Sequence, residues 1–191
     1  MTEAHIRRAT ADDAEIVARI HVAAWRESYA SLMPPEALNA LNVEEQTARW
    51  RDIFRGEASD DASAVFLALG EGGEQPCGFG SCGRQRSPRL AEAGFPVEFS
   101  TLYLLRRAQR SGLGRAMMSA MAKHLIAEGY SRASGWVFRD YPPARRFHEA
   151  LGAKRTGIDG EWTILGVTLA DISYGYRDIS KLAAGAPAVT G

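Results

Sequence analysis

The chain has 191 residues, enough for one domain that buries about 70% of its unfolded surface. Its 23 basic and 23 acidic side chains cancel, which argues against a dedicated nucleic-acid binder, because such domains are strongly basic. No apolar run approaches the ~20 residues of a membrane span and no secretory leader opens the sequence, so we expect a cytoplasmic protein without membrane contact.

The first third of the chain predicts one short strand and two capped helices. A strand is expected at residues 5–8, and Thr10 with Asp13 forms a capping-box pattern before an amphipathic helix. Asn42 with Glu45 predicts the start of a second helix, after a break at two prolines. Apolar spacing on these helices places large aromatic side chains on their buried faces.

The period of the apolar residues then changes from that of a helix to that of a strand. Residues 64–69 and 77–82 predict a hairpin with its turn at 71–75, and a polar loop at 85–93 leads to a strand at 97–105. Cys77 and Cys82 lie five apart in this region and should point to opposite faces. We expect both to be reduced thiols, and we expect no metal, because a zinc site needs further ligands nearby.

The second half predicts alternating helices and strands. Helices are expected at 112–128 and 143–151, a strand at 134–138, and two further strands within 162–177. The tail at 183–191 has no core pattern and is expected to be disordered. The order of elements therefore predicts one mixed α/β domain over residues 1–182.

The stretch QRSGLGRAMM, residues 109–118, predicts an anion site where a strand passes into a helix. Gly112 and Gly114 let backbone amides approach a ligand, and the helix start adds unpaired N–H groups. A dinucleotide fingerprint would need a third small residue where Met117 stands, and the Walker A pattern is absent. A tight turn flanked by solvated arginines is the alternative.

Two motifs in register resemble the GNAT superfamily of acyl-CoA-dependent N-acyltransferases. The first is Gln109, Gly112 and Gly114 after a strand, and the second is FRDYPPARRFHEALGA. The N-terminal helices also resemble a bacterial branch of that superfamily. The resemblance implies a mixed, mostly antiparallel sheet of six or seven strands flanked by helices, with splayed central strands, and acetyl-CoA as acyl donor.

The resemblance also implies which residues bind the donor. Pantetheine would pair with the backbone of Leu104, Leu105 and Arg106. The pyrophosphate would lie against the glycine loop, whose residues are Gln109, Arg110, Ser111, Gly112, Leu113, Gly114 and Arg115. Further contacts are expected from the second motif, at Tyr141, Arg145 and Phe147.

Glu98 and His148 are the expected catalytic residues. Strand alternation would place Glu98 on one face with Ser100, Leu102 and Leu104, and family members often carry an acidic residue here that acts as a base through water. An exposed carboxylate at the strand start is the alternative. His148 stands where many members have a tyrosine that protonates the leaving thiolate, and Tyr141 stands in place of an asparagine.

By the same resemblance, Trp25, Tyr29 and Trp162 would border the acceptor pocket, with ordinary core packing as the alternative. The expected reaction moves an acetyl group to the primary amine of a small molecule or peptide by direct attack in a ternary complex. Neither cysteine is placed as a nucleophile. A non-catalytic acyl-CoA-binding or regulatory module is the second hypothesis. The acceptor, the use of other acyl donors and a homodimeric state stay open.

Overall fold

A computed structural model describes residues 5–57, 62–70 and 75–184. It contains a seven-stranded sheet in the order β1-β2-β3-β4-β5-β7-β6. The strands are β1 (His5–Arg8), β2 (Ala62–Leu69), β3 (Pro76–Arg84), β4 (Val97–Leu104), β5 (Ala133–Phe138), β6 (Lys154–Ile164) and β7 (Val167–Tyr176). The helices are α1 (Ala14–Ser28), α2 (Pro35–Asn39), α3 (Val43–Arg55), α4 (Pro88–Glu92), α5 (Leu113–Ala127), α6 (Pro142–Ala150) and α7 (Ser180–Ala183).

The helix starts follow the predicted caps. The Thr10 N–H donates to the Asp13 carboxylate at 2.8 Å, in a short 3-10 turn that leads into α1. The Asn42 Oδ1 accepts the N–H of Glu44 at 2.7 Å and that of Glu45 at 3.4 Å, so it caps α3. Each cap satisfies donors that the first helical turn would otherwise leave unpaired.

The centre of the sheet is splayed, as the resemblance implied. Every neighbouring pair of strands is antiparallel except β4 and β5, which run parallel. These two strands pair only at Val97 with Ala133 and at Glu98 with Ser134. Beyond Glu98 the edge of β4 that faces β5 has no partner strand within the described segments, and a cleft opens there. The mixed sheet with splayed centre confirms the expected fold class.

A β-bulge at Ser100 overturns one expectation about β4. Ser81 of β3 lies opposite Thr101, and the next residue, Cys82, lies opposite Phe99, so Ser100 is an extra residue. A bulge shifts the alternation of side chains beyond it. Glu98 therefore faces away from Leu102 and Leu104, which pack against the core under α5. The prediction that Glu98 shares their face is wrong.

Helices cover both faces of the sheet. On one face α5 contributes a buried row of Met117, Met118 and Met121. On the other, α1 and α3 enclose Trp50 and Phe79 with the aliphatic residues of α1. The cleft between β4 and β5 lies between these two cores, so its walls come from elements that are themselves rigidly packed.

Several boundaries differ from the prediction. The first strand of the last hairpin begins at Lys154, ahead of the expected 162–177. Its start was not predicted because β6 is a largely exposed edge strand with weak apolar alternation. The loop expected at 85–93 contains the short helix α4. Cys77 and Cys82 are buried and form no disulfide. The expected tail lies, from residue 185 onward, outside the described residues, as does the turn at 71–74. No helix among the described segments is long and apolar enough to cross a membrane.

Candidate active site

The splay of β4 and β5 opens into a cavity of about 880 Å³. Its walls come from α1, α3, β4, the start of α5, α6 and the hairpin of β6 and β7. Most of the predicted site residues line it, namely Trp25, Tyr29, Glu98, Leu104, Gln109, Arg110, Gly112, Gly114, Arg115, Tyr141, Phe147, His148 and Trp162. Residues from distant parts of the sequence therefore meet around one space.

The glycine loop has the backbone of an anion nest. Arg110 and Gly112 both adopt the left-handed conformation, at φ 62° and 89°. No acceptor in the described part of the chain receives a backbone hydrogen bond from Arg110 through Gly114. Left-handed backbone is costly for a non-glycine residue and recurs at ligand sites. Together with the start of α5, the loop presents a concave set of N–H donors of the kind that binds phosphate.

Gly114 also lets α5 approach α6 closely. A Cβ at this position would lie 3.1 Å from Cε2 of Phe147 and 3.5 Å from Cδ1 of Leu104, contacts tighter than ordinary packing for Phe147. Gly112, by contrast, has open space around it. The two glycines therefore differ in role, because Gly112 supplies a backbone conformation and Gly114 supplies room.

Five predicted donor-binding residues do not line the cavity. Leu105 and Leu113 are buried in the core. The Arg106 N–H donates to the Glu27 carboxylate at 2.6 Å. The Ser111 hydroxyl and the Arg145 guanidinium donate to nearby carbonyl groups. The first four hold the glycine loop and its flanks in place, and the donor contacts assigned to all five remain predictions.

Glu98 lies on the cavity wall with a basic partner. The side chain is only 1% exposed, and its Oε1 accepts a hydrogen bond from Nε of Arg86 at 2.6 Å. Glu98 is thus not the exposed carboxylate of the alternative hypothesis. A buried carboxylate needs such a partner, since an uncompensated buried charge is expensive. Its role as a base remains a prediction.

His148 lies against two tyrosines of β7. Its ring stacks on Tyr174 with centroids 5.7 Å apart, and its Nδ1 lies 2.6 Å from the Tyr176 hydroxyl. Burial lowers the pKa of His148 to about 4. The imidazole is therefore neutral at pH 7, and a role as acid would require donation from a neutral ring.

The other end of the cavity is aromatic. The ring of Trp25 contacts Tyr29 at 5.0 Å, Trp162 at 5.6 Å and Phe138 at 6.4 Å between centroids. Trp25 is fully buried, and its Nε1–H lies near the Tyr103 hydroxyl but meets no acceptor with hydrogen-bond geometry among the residues that the structure describes. We call Trp25, Tyr29, Phe138 and Trp162 the aromatic end of the cavity.

Sequence reasoning missed Asp171 at this end. Asp171 is the only charged residue in the β7 segment VTLADISYGY and lines the cavity beside Phe138. Burial raises the pKa of Asp171 to about 6. A single acidic residue within an apolar strand was the available signal. Among the described residues no cluster of three His, Cys, Asp or Glu could hold a metal ion.

Comparison with known proteins places this geometry in a family. Residues 19–153 match the model of the acetyltransferase (GNAT) family. The chain is 33% identical over 177 residues to the uncharacterized N-acetyltransferase YuaI of Bacillus subtilis (strain 168), covering 93% of this chain and 95% of that protein.

Solved structures share the fold at lower identity. The PaiA N-acetyltransferase of Thermoplasma acidophilum, in complex with coenzyme A, aligns at TM-score 0.68 and 18% identity over 91% of this chain and 99% of that one. YncA of Salmonella typhimurium, a protein described as an acetyltransferase with its cofactor acetyl-CoA, aligns at 0.65 and 18% over 93% and 95%. The family match, the close relative and the splayed sheet agree, and the chain belongs to the GNAT family of acetyltransferases.

Proposed function

We propose that the protein transfers an acetyl group from acetyl-CoA to a primary amine by direct attack within a ternary complex. The observation that carries the proposal is the glycine loop, where the N–H groups of Arg110 through Gly114 have no acceptor in the described chain and face the mouth of a cleft. The coenzyme A and acetyl-CoA complexes of two proteins with this fold support the choice of donor.

The residues present fit such a donor. The nest of N–H groups with Arg110 and Arg115 on the cavity wall suits a pyrophosphate. The unpaired edge of β4 beyond Glu98 can form strand-like hydrogen bonds with an extended chain that carries amide groups. A thioester bound there supplies the activated acyl group. A backbone N–H of β4 aimed at its carbonyl oxygen would stabilise the negative charge that develops there.

Direct attack is favoured because no cysteine thiol is found among the described residues that line the cavity. Cys77 and Cys82 are buried in the core and do not line the cavity. Burial also raises the pKa of Cys77, which disfavours its reactive thiolate form. Initial-rate kinetics with both substrates varied should therefore give intersecting double-reciprocal lines, whereas parallel lines would indicate a covalent intermediate.

The donor site is tested by a matched pair of glycine variants. Gly112→Asp places a side chain and a negative charge in the nest at the start of α5. Gly129→Asp makes the same change at a left-handed glycine just beyond the other end of α5, where there is equal open space. Calorimetry with acetyl-CoA should show binding to wild type and Gly129→Asp, and none to Gly112→Asp. Equal affinity in all three proteins would refute the assignment.

A panel of amines with mass detection of the acetylated product tests turnover. We expect a new acetyl-amine together with stoichiometric release of the CoA thiol. Binding of acetyl-CoA without turnover of any amine would instead support the second hypothesis, a non-catalytic acyl-CoA-binding module. The departures at Tyr141 and His148 from the family's pattern are the observation that favours that alternative.

A further inference from the structure

Asp171 lies at the aromatic end of the cavity, on β7, which is the middle strand between β5 and β6. It is paired with Phe138 of β5 on one side and with Gly160 of β6 on the other. Directly paired residues on adjacent strands project to the same face. The Asp171 side chain therefore shares the face of Phe138, whose ring belongs to the aromatic end. Its charge also reaches the Tyr29 and Tyr103 hydroxyls and contributes to raising their pKa, although burial is the larger cause.

The carboxylate of Asp171 has no cationic partner among the described residues. Two other acidic side chains of this region are compensated, since Glu98 pairs with Arg86 at 2.6 Å and Asp159 with Arg155 at 2.5 Å. Asp171 is half-buried, and even partial burial of a carboxylate without a counter-ion is unfavourable. Binding of a cationic ligand beside the Asp171 carboxylate would therefore be favourable.

The surrounding rings suit the same kind of ligand. Aromatic faces attract ammonium groups, most strongly where water is excluded. An anionic ligand would meet the negative faces of the rings and a carboxylate together, and would be disfavoured.

The charged groups of the cavity are separated along its length. Arg110 and Arg115 lie at the glycine loop, and the Arg86 and Glu98 pair lies where β4 and β5 meet. The groups that share the cavity with Asp171 near its other end are Arg49 of α3, Glu161 of β6 and the hydroxyls of Tyr29, Tyr103 and Tyr141. The glycine loop thus offers positive charge to the donor's phosphates, whereas the opposite end offers the carboxylates of Asp171 and Glu161 to a cationic acceptor, with Arg49 as the one cation among the described residues at that end.

We infer that Asp171 binds the ammonium group of the acceptor and takes up its proton, and that the acceptor is a small primary alkylammonium without a carboxylate beside its amine. This inference rests on the proposed acetyl transfer. Glu98 is less suited to the task, because a guanidinium compensates its charge before any amine arrives.

The reaction balances when two protons leave the nitrogen, one to Asp171 and one to the sulfur. The ammonium gives one proton to the Asp171 carboxylate and becomes a neutral amine, whose lone pair forms the new bond to the acyl carbon. The bond from that carbon to sulfur breaks, and the sulfur leaves with the electron pair. The second proton of the nitrogen reaches the sulfur to give the thiol, and Asp171 returns the first to solvent. The products are the amide, the CoA thiol and one released proton.

The test compares Asp171→Asn with Asp159→Asn, a control in the neighbouring strand whose side chain is exposed and outside the cavity. For Asp171→Asn we expect kcat/KM for the amine to fall by ~10² to 10⁴, the usual range for a lost general base. Calorimetric affinity for acetyl-CoA should stay within about threefold in both variants, and Asp159→Asn should keep wild-type turnover. The rise of kcat/KM with pH around 6 should disappear only in Asp171→Asn.

The acceptor class is tested with phenylethylamine and phenylalanine, which share a stem and differ by the carboxylate. The inference predicts a much higher kcat/KM for the amine. Preference for the amino acid would overturn the acceptor class, and wild-type turnover with an unchanged pH profile in Asp171→Asn would overturn the role of Asp171. If the wild type acetylates no amine while it binds acetyl-CoA, the proposed function fails instead.

Discussion

Acidification should destabilise the protein through its buried histidines, and His148 permits a quantitative test. Burial holds the pKa of His148 at about 4, against 6.5 for an unperturbed imidazole. Between these two values the unfolded chain binds more protons than the folded one. The contribution of the neutral His148 to the free energy of unfolding is therefore fully present above pH 6.5 and is lost as the pH falls toward 4.

The size of the effect follows from the two pKa values. Lowering the pH from 7.5 to 5.0 should remove about 2 kcal/mol of folding free energy through His148 alone, by proton linkage. His21, whose pKa burial lowers to about 3, should add about 2 kcal/mol more. Asp171 titrates in the same range with the opposite sign, because its pKa is raised to about 6.

A single variant isolates the contribution of His148. In His148→Asn an amide oxygen can replace Nδ1 as the partner of the Tyr176 hydroxyl, and the side chain no longer titrates. The free energy of unfolding of wild type and His148→Asn is measured by urea titration at pH 7.5 and at pH 5.0. The decrease in the free energy of unfolding from pH 7.5 to pH 5.0 should be about 2 kcal/mol smaller in His148→Asn, because all other titrating groups are common to both proteins. Equal losses would show that His148 is not buried in its neutral form.

Three further substitutions test the packing around the site. Asn42→Ala removes the cap of α3 and should cost about 1 kcal/mol in urea unfolding without changing turnover. Gly175→Ala would place a Cβ in steric conflict with the ring of Phe95, so thermal unfolding should report a loss of ~1–3 kcal/mol that Phe95→Leu partly restores. Arg86→Met leaves a buried carboxylate without this partner and should cost ~1–3 kcal/mol, whereas the double variant with Glu98→Gln should recover much of the loss.

Local chemistry explains what the sequence could predict. Asn42 and Gly112 affect only residues within about one helical turn along the chain. Asn42 does so through its side-chain oxygen and Gly112 through its left-handed backbone. Such features depend on neighbours in the chain, so their position is visible in the residue pattern. The glycine loop, the start of α3 and both ends of α5 could therefore be located to within a residue or two.

Features that depend on pairing between strands could not be found in this way. The bulge at Ser100 exists only because β3 sets the register on both sides of it, so the face of Glu98 is not contained in the alternation of β4. Asp171 reaches the cavity because β7 lies between β5 and β6, an order that differs from the order along the chain. The exposed β6 lacked the apolar alternation that marks a buried strand.

The short contact between β4 and β5 has a mechanical consequence. The sheet consists of two halves, β1 to β4 and β5 with β7 and β6, and in the described part of the chain only two residue pairs join the backbones of β4 and β5. Each half is cross-linked over many residues, so relative motion concentrates at this seam. A ligand that forms strand-like hydrogen bonds in the cleft would lengthen the seam and stiffen the hinge. We expect amide hydrogen exchange in β4 after Glu98 and in β5 after Ser134 to slow together when the donor binds, while exchange in β1 and β2 hardly changes.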